Sequence, residues 1–507
     1  MAKPVREATD SPWMDTAAAP RHQSLAGDIE VDVCVVGAGI AGLTTAYLLA
    51  LEGKKVAVLD DGPVGGGQTE RTSAHLSNAF DDRFAELEKI HGEDGSRLAA
   101  ESHTAAIDRI ESIAREEGID CDFLRVDGYL FLAPDHSPDL LEQEHDAARR
   151  AGLEVTYADR APIGGFDTGK CLRFPAQAQF HPLKYLAGLD SAFRKRGGAI
   201  YTNTHASKID GGRVETKEGP VVTAEAVVVA TNTPVNDLVA IHTKQAPYLT
   251  YAIGASIPAG SVENALFWDT LDAYHYIRVQ PGEGDREDML IVGGEDHKAG
   301  QATDQAERWD RLERWSRERF PEMKEVAYRW SGMVMETTDG LAFIGRNPMD
   351  KENVYIATGD SGMGLTHGTI AGILLTDLIM DRENPWEAIY EPSRKPAWGM
   401  AWKEFLVENA NVAKEIAKDW LGGGDVSSAE EIGPGEGAVL RRGLKKVALY
   451  RDGNGAVHER SAVCPHLGCI VHWNGAEKTW DCPCHGSRFD PKGEVIMGPA
   501  NVPLPEA

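Results

Sequence analysis

Two short cysteine–histidine words near the C-terminus constrain this 507-residue chain more than any other feature. They read Cys464-Pro465-His466 and Cys482-Pro483-Cys484-His485, fifteen residues apart. Cys469 joins them, whereas Cys34, Cys121 and Cys171 are scattered, and Cys121 and Cys171 read as buried thiols. In a reducing compartment, clustering of this kind argues for metal before disulfides. Two Cys and two His suit an iron–sulfur centre in which thiolates hold one iron and neutral imidazoles the other. A zinc ribbon also accepts this donor set, but its knuckles pair Cys with Cys, and here each word mixes one Cys with one His.

The rest of the chain has another character. The run VDVCVV (31–36) is strand-like, GAGIAG follows, LTTAYLLALEG reads as a helix stopped by Gly53, and KVAVLD ends at Asp60. Strand, glycine turn, helix and strand make one βαβ unit and imply a parallel sheet. Helical stretches such as 97–117 then alternate with β-rich ones at 226–231, 274–279 and 289–294, so the bulk of the chain is α/β. A helix is expected over 400–421, ended by three glycines, and beyond it come short β segments without a convincing helix. The domains expected are an N-terminal extension (1–28), an α/β unit (29–395), a linker helix (396–424) and a small all-β unit (425–507).

Charge and hydropathy exclude some functions. Lys and Arg number 52 against 79 Asp and Glu, a net charge of −27, so no nucleic-acid partner is expected. No apolar run approaches the roughly 20 residues that span a bilayer, so no membrane span is expected. The first 28 residues lack an apolar signal core and a twin-Arg pair, so a cytoplasmic location is expected.

Gly37-x-Gly39-x-x-Gly42 lies between a strand and a helix, with Asp60 at the end of the next strand. Glycines let a pyrophosphate approach the helix N-terminus, and the carboxylate can accept from a ribose hydroxyl. A second glycine-rich turn, ATGDSGMGLTHG (357–368), again separates a strand from a helix. Two distant turns suit an extended cofactor held at both ends.

Residues 430–507 resemble a Rieske [2Fe–2S] domain. The resemblance implies that Cys464 and Cys482 ligate the inner iron, and His466 and His485 the outer one near the surface. It also implies a Cys469–Cys484 disulfide, a cluster-directed hydroxyl at Ser487 and a covering loop at 498–505. The aromatic two residues after that serine is usually Tyr in the high-potential proteins. It is Phe489 here, so an intermediate potential is expected. Residues 28–385 resemble the D-amino-acid, glycine and sarcosine oxidase family of FAD enzymes through GAGIAG, GPVGGGQTERTSAHLS (62–77), FHPLKY, AVVVATNTP, WSGMVMETTDGLAFIG and the 357–368 turn. That resemblance implies a Rossmann-like FAD domain interleaved with a substrate domain. Gly37, Ala38, Gly39, Ile40, Ala41, Gly42 and Asp60 would hold the ADP half, with Thr231 nearby. Gly67, Thr69, Arg71, Thr72 and Leu76 would follow the middle of the cofactor. Gly359, Gly362, Met363, Gly364, Leu365 and Thr366 would face the flavin ring.

The sequence departs from that family in places. The segment that carries a carboxylate-clamping Arg in amino-acid-oxidising members is Gly332-Met333-Val334-Met335, which puts an α-amino-acid substrate in question. His75 stands where a small residue is usual, leaving covalent flavin attachment open, and Thr366 stands where some relatives have Lys. Period-2 alternation puts Tyr274, Tyr276 and Arg278 on one face and His275 on the other; an aromatic wall for an amine and ordinary sheet packing both fit. His75 and His367, beside the flavin motifs, could handle a proton or only pack. His181 reads as structural. The function expected is oxidation of a small-molecule substrate, most simply an amine, with electrons relayed from FAD to the cluster and on to an external one-electron acceptor. The alternatives are an amine oxidase using O₂ and an electron-transfer or sensing protein with no small substrate.

Overall fold

The structure, a computed structural model, describes residues 10–236, 241–282, 284, 286–348, 350–395 and 400–507. The VDVCVV run forms the strand Ile29–Val36 in the interior of an eight-stranded sheet. It pairs in parallel with Val56–Leu59 on one side and Val221–Val229 on the other, and the latter pairs in parallel with Val354–Thr358. Near-continuous Val-rich runs are what a parallel strand covered on both faces requires. Three stretches far apart in sequence therefore build one sheet. The two glycine-opened helices, Ile40–Leu51 and Gly364–Ile379, cross closely: a Cβ on Gly368 would stand 2.7 Å from Ile40, and one on Gly372 would stand 2.5 Å from Thr44.

The chain between these strands leaves to build a second, nine-stranded sheet. Its long members Val326–Thr337, Gln245–Ile257 and Asp288–Lys298 are antiparallel neighbours, followed by Tyr276–Gln280. The interleaving expected from the sequence is present. The helix expected at 97–117 starts much earlier, at Phe84, and runs to Glu116 with a break at Gly92, whose φ is +72°. That break and Gly95 interrupt the apolar repeat, which hid the first turns.

Residues 10–28 are tied down. Trp13 is 1% exposed and its indole N–H donates to Thr72 O (2.7 Å), while Ser11 Oγ donates to Glu70 O. Burying that indole contributes about 3 kcal/mol to holding the extension over the 68–72 turn.

The C-terminal unit is all-β, with a three-stranded sheet (Glu436–Arg442, Lys445–Arg451, Val457–Ser461) and a four-stranded one beginning at His472–Asn474. The helix Met400–Leu421 is a strut rather than a loose linker; residues 396–399 of the expected linker lie outside the described residues. Val412 and Ile416 pack on the β core, Trp420 Nε1 donates to Gly468 O (3.1 Å), and Asp419 meets His472 (2.9 Å). On the other side Glu408 takes both bonds from Lys298, and Asn409 Nδ2 donates to Thr243 O (2.9 Å). No helix among the described residues is long and apolar enough to cross a membrane.

Candidate functional site: a dinucleotide cavity sealed by a metal-ligand domain

Gly37 leaves its strand at φ +106°, where a Cβ would strike Ala230 O, so only glycine closes this turn. Asp60 accepts from Ala38 N (2.6 Å) and Gly62 N (2.7 Å), which locks the turn to the next strand. Burial pushes its carboxyl up to about 6 despite those donors. Thr69 Oγ1 accepts from Ile40 N (3.2 Å) at the mouth of the first helix. A cavity of about 1340 Å³ runs from Asp60 and Gly62 past Gly67–Thr72 to Gly362–Thr366. Pockets for drug-sized ligands are roughly 300–1,000 Å³, so this one has room for an extended dinucleotide and a substrate. Cavity length, the bare glycine turn and a buried carboxylate at its end fit FAD.

Most of the expected cofactor residues line that cavity, including Gly37, Gly39, Ile40, Ala41, Asp60, Gly67, Thr69, Arg71, Thr72, Thr231, Gly362, Met363, Gly364, Leu365 and Thr366. Ala38, Gly42, Leu76 and Gly359 stand behind the wall. Gly42 is there because a Cβ would collide with Gly37 O, which makes it a packing residue.

At the far end Tyr274 and Tyr276 form an aromatic wall with ring centres 5.7 Å apart. The Tyr276 hydroxyl bonds Thr250 Oγ1 (2.9 Å), and that of Tyr274 donates to Asp81. His75 lines the cavity edge-on to Tyr276 with both ring nitrogens occupied: Nε2 donates to Ile277 O (3.3 Å) and Nδ1 accepts from Ser73 Oγ (3.0 Å). Burial and Arg278 push its pKa down to about 3, so it is a neutral positioning group at pH 7. Arg278 is fully buried behind it, donating to Ala74 O (2.9 Å). His275 points the other way, bonded to Asp269 and stacked on Trp315. His367 donates Nδ1–H to Asp360 O (2.9 Å) and packs its ring among His103 and Tyr390. His181 caps the helix Pro182–Lys195, accepting from Lys184 N.

The four expected cluster ligands form a second constellation. The Cys464 and Cys482 thiols are hydrogen-bonded to each other, and the His466 and His485 rings stand 5.0 Å apart at 88°. His485 Nδ1 is buried with no hydrogen-bond partner among the described residues, which suits a nitrogen reserved for a metal. Cys469 and Cys484 are joined as a disulfide, with their sulfurs within 4.8 Å of Cys482 Sγ, so the expected pairing is present and these two sulfurs are unavailable as ligands. Ser487 Oγ accepts from Ala500 N (3.0 Å), keeping its proton for the Cys464 side. This donor set of two thiols and two imidazoles fits a [2Fe–2S] centre.

The expectation of histidines near the surface is corrected for His485, whereas His466 is half-buried. His485 is 6% exposed, and His242 packs against both ligand rings. The loop that carries the ligands is pressed onto the second sheet so closely that a Cβ on Gly486 would meet Pro247 at 2.6 Å. Gln301 Nε2 also donates to Pro483 O (3.1 Å).

Comparison with known proteins agrees with this geometry. The family described as FAD dependent oxidoreductase matches residues 32–378. The chain belongs to that family. The Rieske [2Fe-2S] domain family matches residues 424–507 of the same oxidoreductase, so its cofactors are FAD and a [2Fe–2S] cluster, and the zinc alternative falls. A relative with the same reach is the putative Rieske 2Fe-2S iron-sulfur protein YhfW of Bacillus subtilis, 32% identical over 99% of this chain and 98% of the relative. The gamma-glutamylputrescine oxidoreductase of Escherichia coli is 27% identical over 69% of this chain and 84% of its own length. Among solved structures, glycine oxidase from Geobacillus kaustophilus shares the fold with a TM-score of 0.59 at 20% identity, covering 72% of this chain and 99% of that one.

Several site residues of the oxidoreductase are not evident from the sequence. Gln68 accepts from Met333 N (2.7 Å) and reaches Met497 Sδ (3.2 Å). Glu477 is buried, accepts from Ser331 Oγ (2.6 Å) and pairs with Arg488 (2.6 Å). Asp81 and Asp82 from one turn, Asp296 from a second stretch and Glu336 from a third enter the cavity. Gln68 and Glu336 lie in segments that carry the resemblance but mark no role for them there, and only the meeting of distant segments brings these residues together.

Proposed function

We propose that this oxidoreductase oxidises an amine in the flavin cavity and relays the electrons through its own iron–sulfur domain to an external acceptor. When bound, FAD supplies two-electron oxidation and a [2Fe–2S] cluster supplies one-electron exchange, so together they convert between the two. The observation that carries the reading is the seating of both ligand histidines against His242. That residue is 2% exposed, with ring centres 4.8 Å from His466 and 5.9 Å from His485. Three residues on, Gln245 Oε1 accepts from Thr358 Oγ1 (3.2 Å), beside the turn that opens the second glycine-rich helix. One short segment thus touches the cluster ligands at one end and the flavin-side turn at the other.

An amine substrate is supported by the Tyr274–Tyr276 wall and by a relative whose name specifies gamma-glutamylputrescine. A carboxylate clamp of the amino-acid-oxidising kind finds no arginine between 332 and 335. Among the described residues the basic side chains lining the cavity, histidines aside, are Arg71, Arg83 and Arg488, and two of these face Glu477.

The test is anaerobic addition of amines to the holoenzyme. Flavin bleaching followed by the EPR signal of a reduced cluster in wild type, with bleaching but no such signal in Cys464→Ala, is expected. A wild type whose flavin bleaches while its cluster stays oxidised, with stoichiometric hydrogen peroxide on admitting air, would replace the relay with an oxidase.

A further inference from the structure

Carboxylates dominate the aromatic end of the cavity. Asp81, Asp82, Asp272, Asp296, Glu336 and Asp360 arrive from five separate stretches of chain and line the same space. Some are partly engaged: Asp81 accepts from Tyr274, and Asp360 Oδ1 accepts from Met335 N (2.8 Å). Asp296 is different. Thr250 serves one of its oxygens, but its Oδ1 is shielded and has no donor among the described residues.

The cations nearby offset this group only in part. Arg308, which donates to Asp304 and to the backbone oxygens of Glu295 and Asp296, acts on Asp296 from behind the cavity lining. Arg71 lies 3.9 Å from Glu477, Arg488 is paired with Glu477 and Asp481, and Arg83 stands beside Asp82. Burial pushes Asp360 up to about 6, and burial together with repulsion from neighbouring carboxylates pushes Asp81 up to about 7, Asp296 to about 6 and Glu336 well above the ordinary range. FAD does not relieve this, because its pyrophosphate is an anion. Buried like charges and a shielded, unsatisfied oxygen are costly unless a cation belongs among them. Tyr274, Tyr276 and Tyr248 line the same space and supply faces that favour a cation and its methylenes.

Resting on the amine reading above, we propose that the substrate is an aliphatic amine carrying a further positive charge, a diamine or polyamine, whose remote ammonium is held by Asp296, Glu336 and their neighbours. The reacting nitrogen must be neutral to be oxidised, so charge recognition falls to the other end of the molecule. An α-amino acid would bring its carboxylate into like charge.

The experiment titrates the holoenzyme anaerobically with putrescine, spermidine, n-butylamine and sarcosine, reading binding from the flavin spectrum and oxidation from its bleaching. Putrescine or spermidine is expected to bind at least about tenfold more tightly than n-butylamine, as a charged hydrogen-bonded contact implies. Added salt narrows the gap. Glu336→Gln and, separately, Asp82→Asn are expected to shrink it severalfold. Sarcosine or n-butylamine binding as well as the diamines would overturn the inference while leaving the amine reading intact. Diamine binding without bleaching would overturn the amine reading and the diamine as substrate, leaving only an ammonium site, and no binding by any amine would remove that site as well.

Discussion

The imidazole of His242 stands edge-on to that of His466, their planes 79° apart and their centres 4.8 Å apart, so a side chain of the flavin unit covers an expected cluster ligand. A cluster edge buried in this way faces its own chain first. Replacing the ring tests the contact. His242→Ala should loosen the interface by about 2 kcal/mol, as removal of a buried ring does. It should also shift the cluster's EPR g-values and slow the appearance of that signal relative to flavin bleaching in the same freeze-quench series. An unchanged spectrum and delay would take His242 out of the contact.

Glu477 joins the two units electrostatically. It bonds Ser331 of the long sheet and Arg488 of the metal-ligand domain, and the nearby cations hold its carboxyl below the usual range. Its contribution is therefore present at neutral pH and lost as the pH falls through that depressed value. Glu477→Ala leaves Arg488 with Thr479 and a single carboxylate, Asp481, and should cost about 3 kcal/mol, read as a fall in thermal midpoint. Limited proteolysis should then cut more readily near 396–424.

Asp81 makes the ligand-free protein pH-sensitive. Burial, with repulsion from Asp82, Asp296 and Asp360 and against the hydrogen bond from Tyr274, raises its pKa from 3.8 to about 7. The folded chain thus takes up this proton before the unfolded chain does. Stability from this group is full below about pH 4 and is lost as the pH rises through about 7. Thermal unfolding across that window should show the decline, and Asp81→Asn should flatten it. Diamine binding should run oppositely, weakening by up to about tenfold per pH unit below 7.

Phe489 is fully buried beside the ligand loops and offers no hydroxyl to a cysteine sulfur. Phe489→Tyr should raise the cluster midpoint by about 40 mV, the one-electron equivalent of a hydrogen bond of about 1 kcal/mol. Redox titration followed by EPR measures it, and a midpoint that stays put would show that this position does not tune the cluster.

The local chemistry was legible in the sequence because each motif needs only neighbouring residues: a glycine where Gly37 turns, or a Cys and a His two apart at 464 and 466. The disulfide and the interleaved sheets followed from resemblance carried by those same words. What spacing could not reveal is who faces whom across long separations. The tertiary structure alone put His242 against His466 and His485, buried a histidine edge expected at the surface, turned the 400–421 linker into a strut, and drew carboxylates from 81 to 360 into one cavity. Such contacts arise where sheets and helices pack, and side-chain periodicity within one element carries no information about the element that covers it.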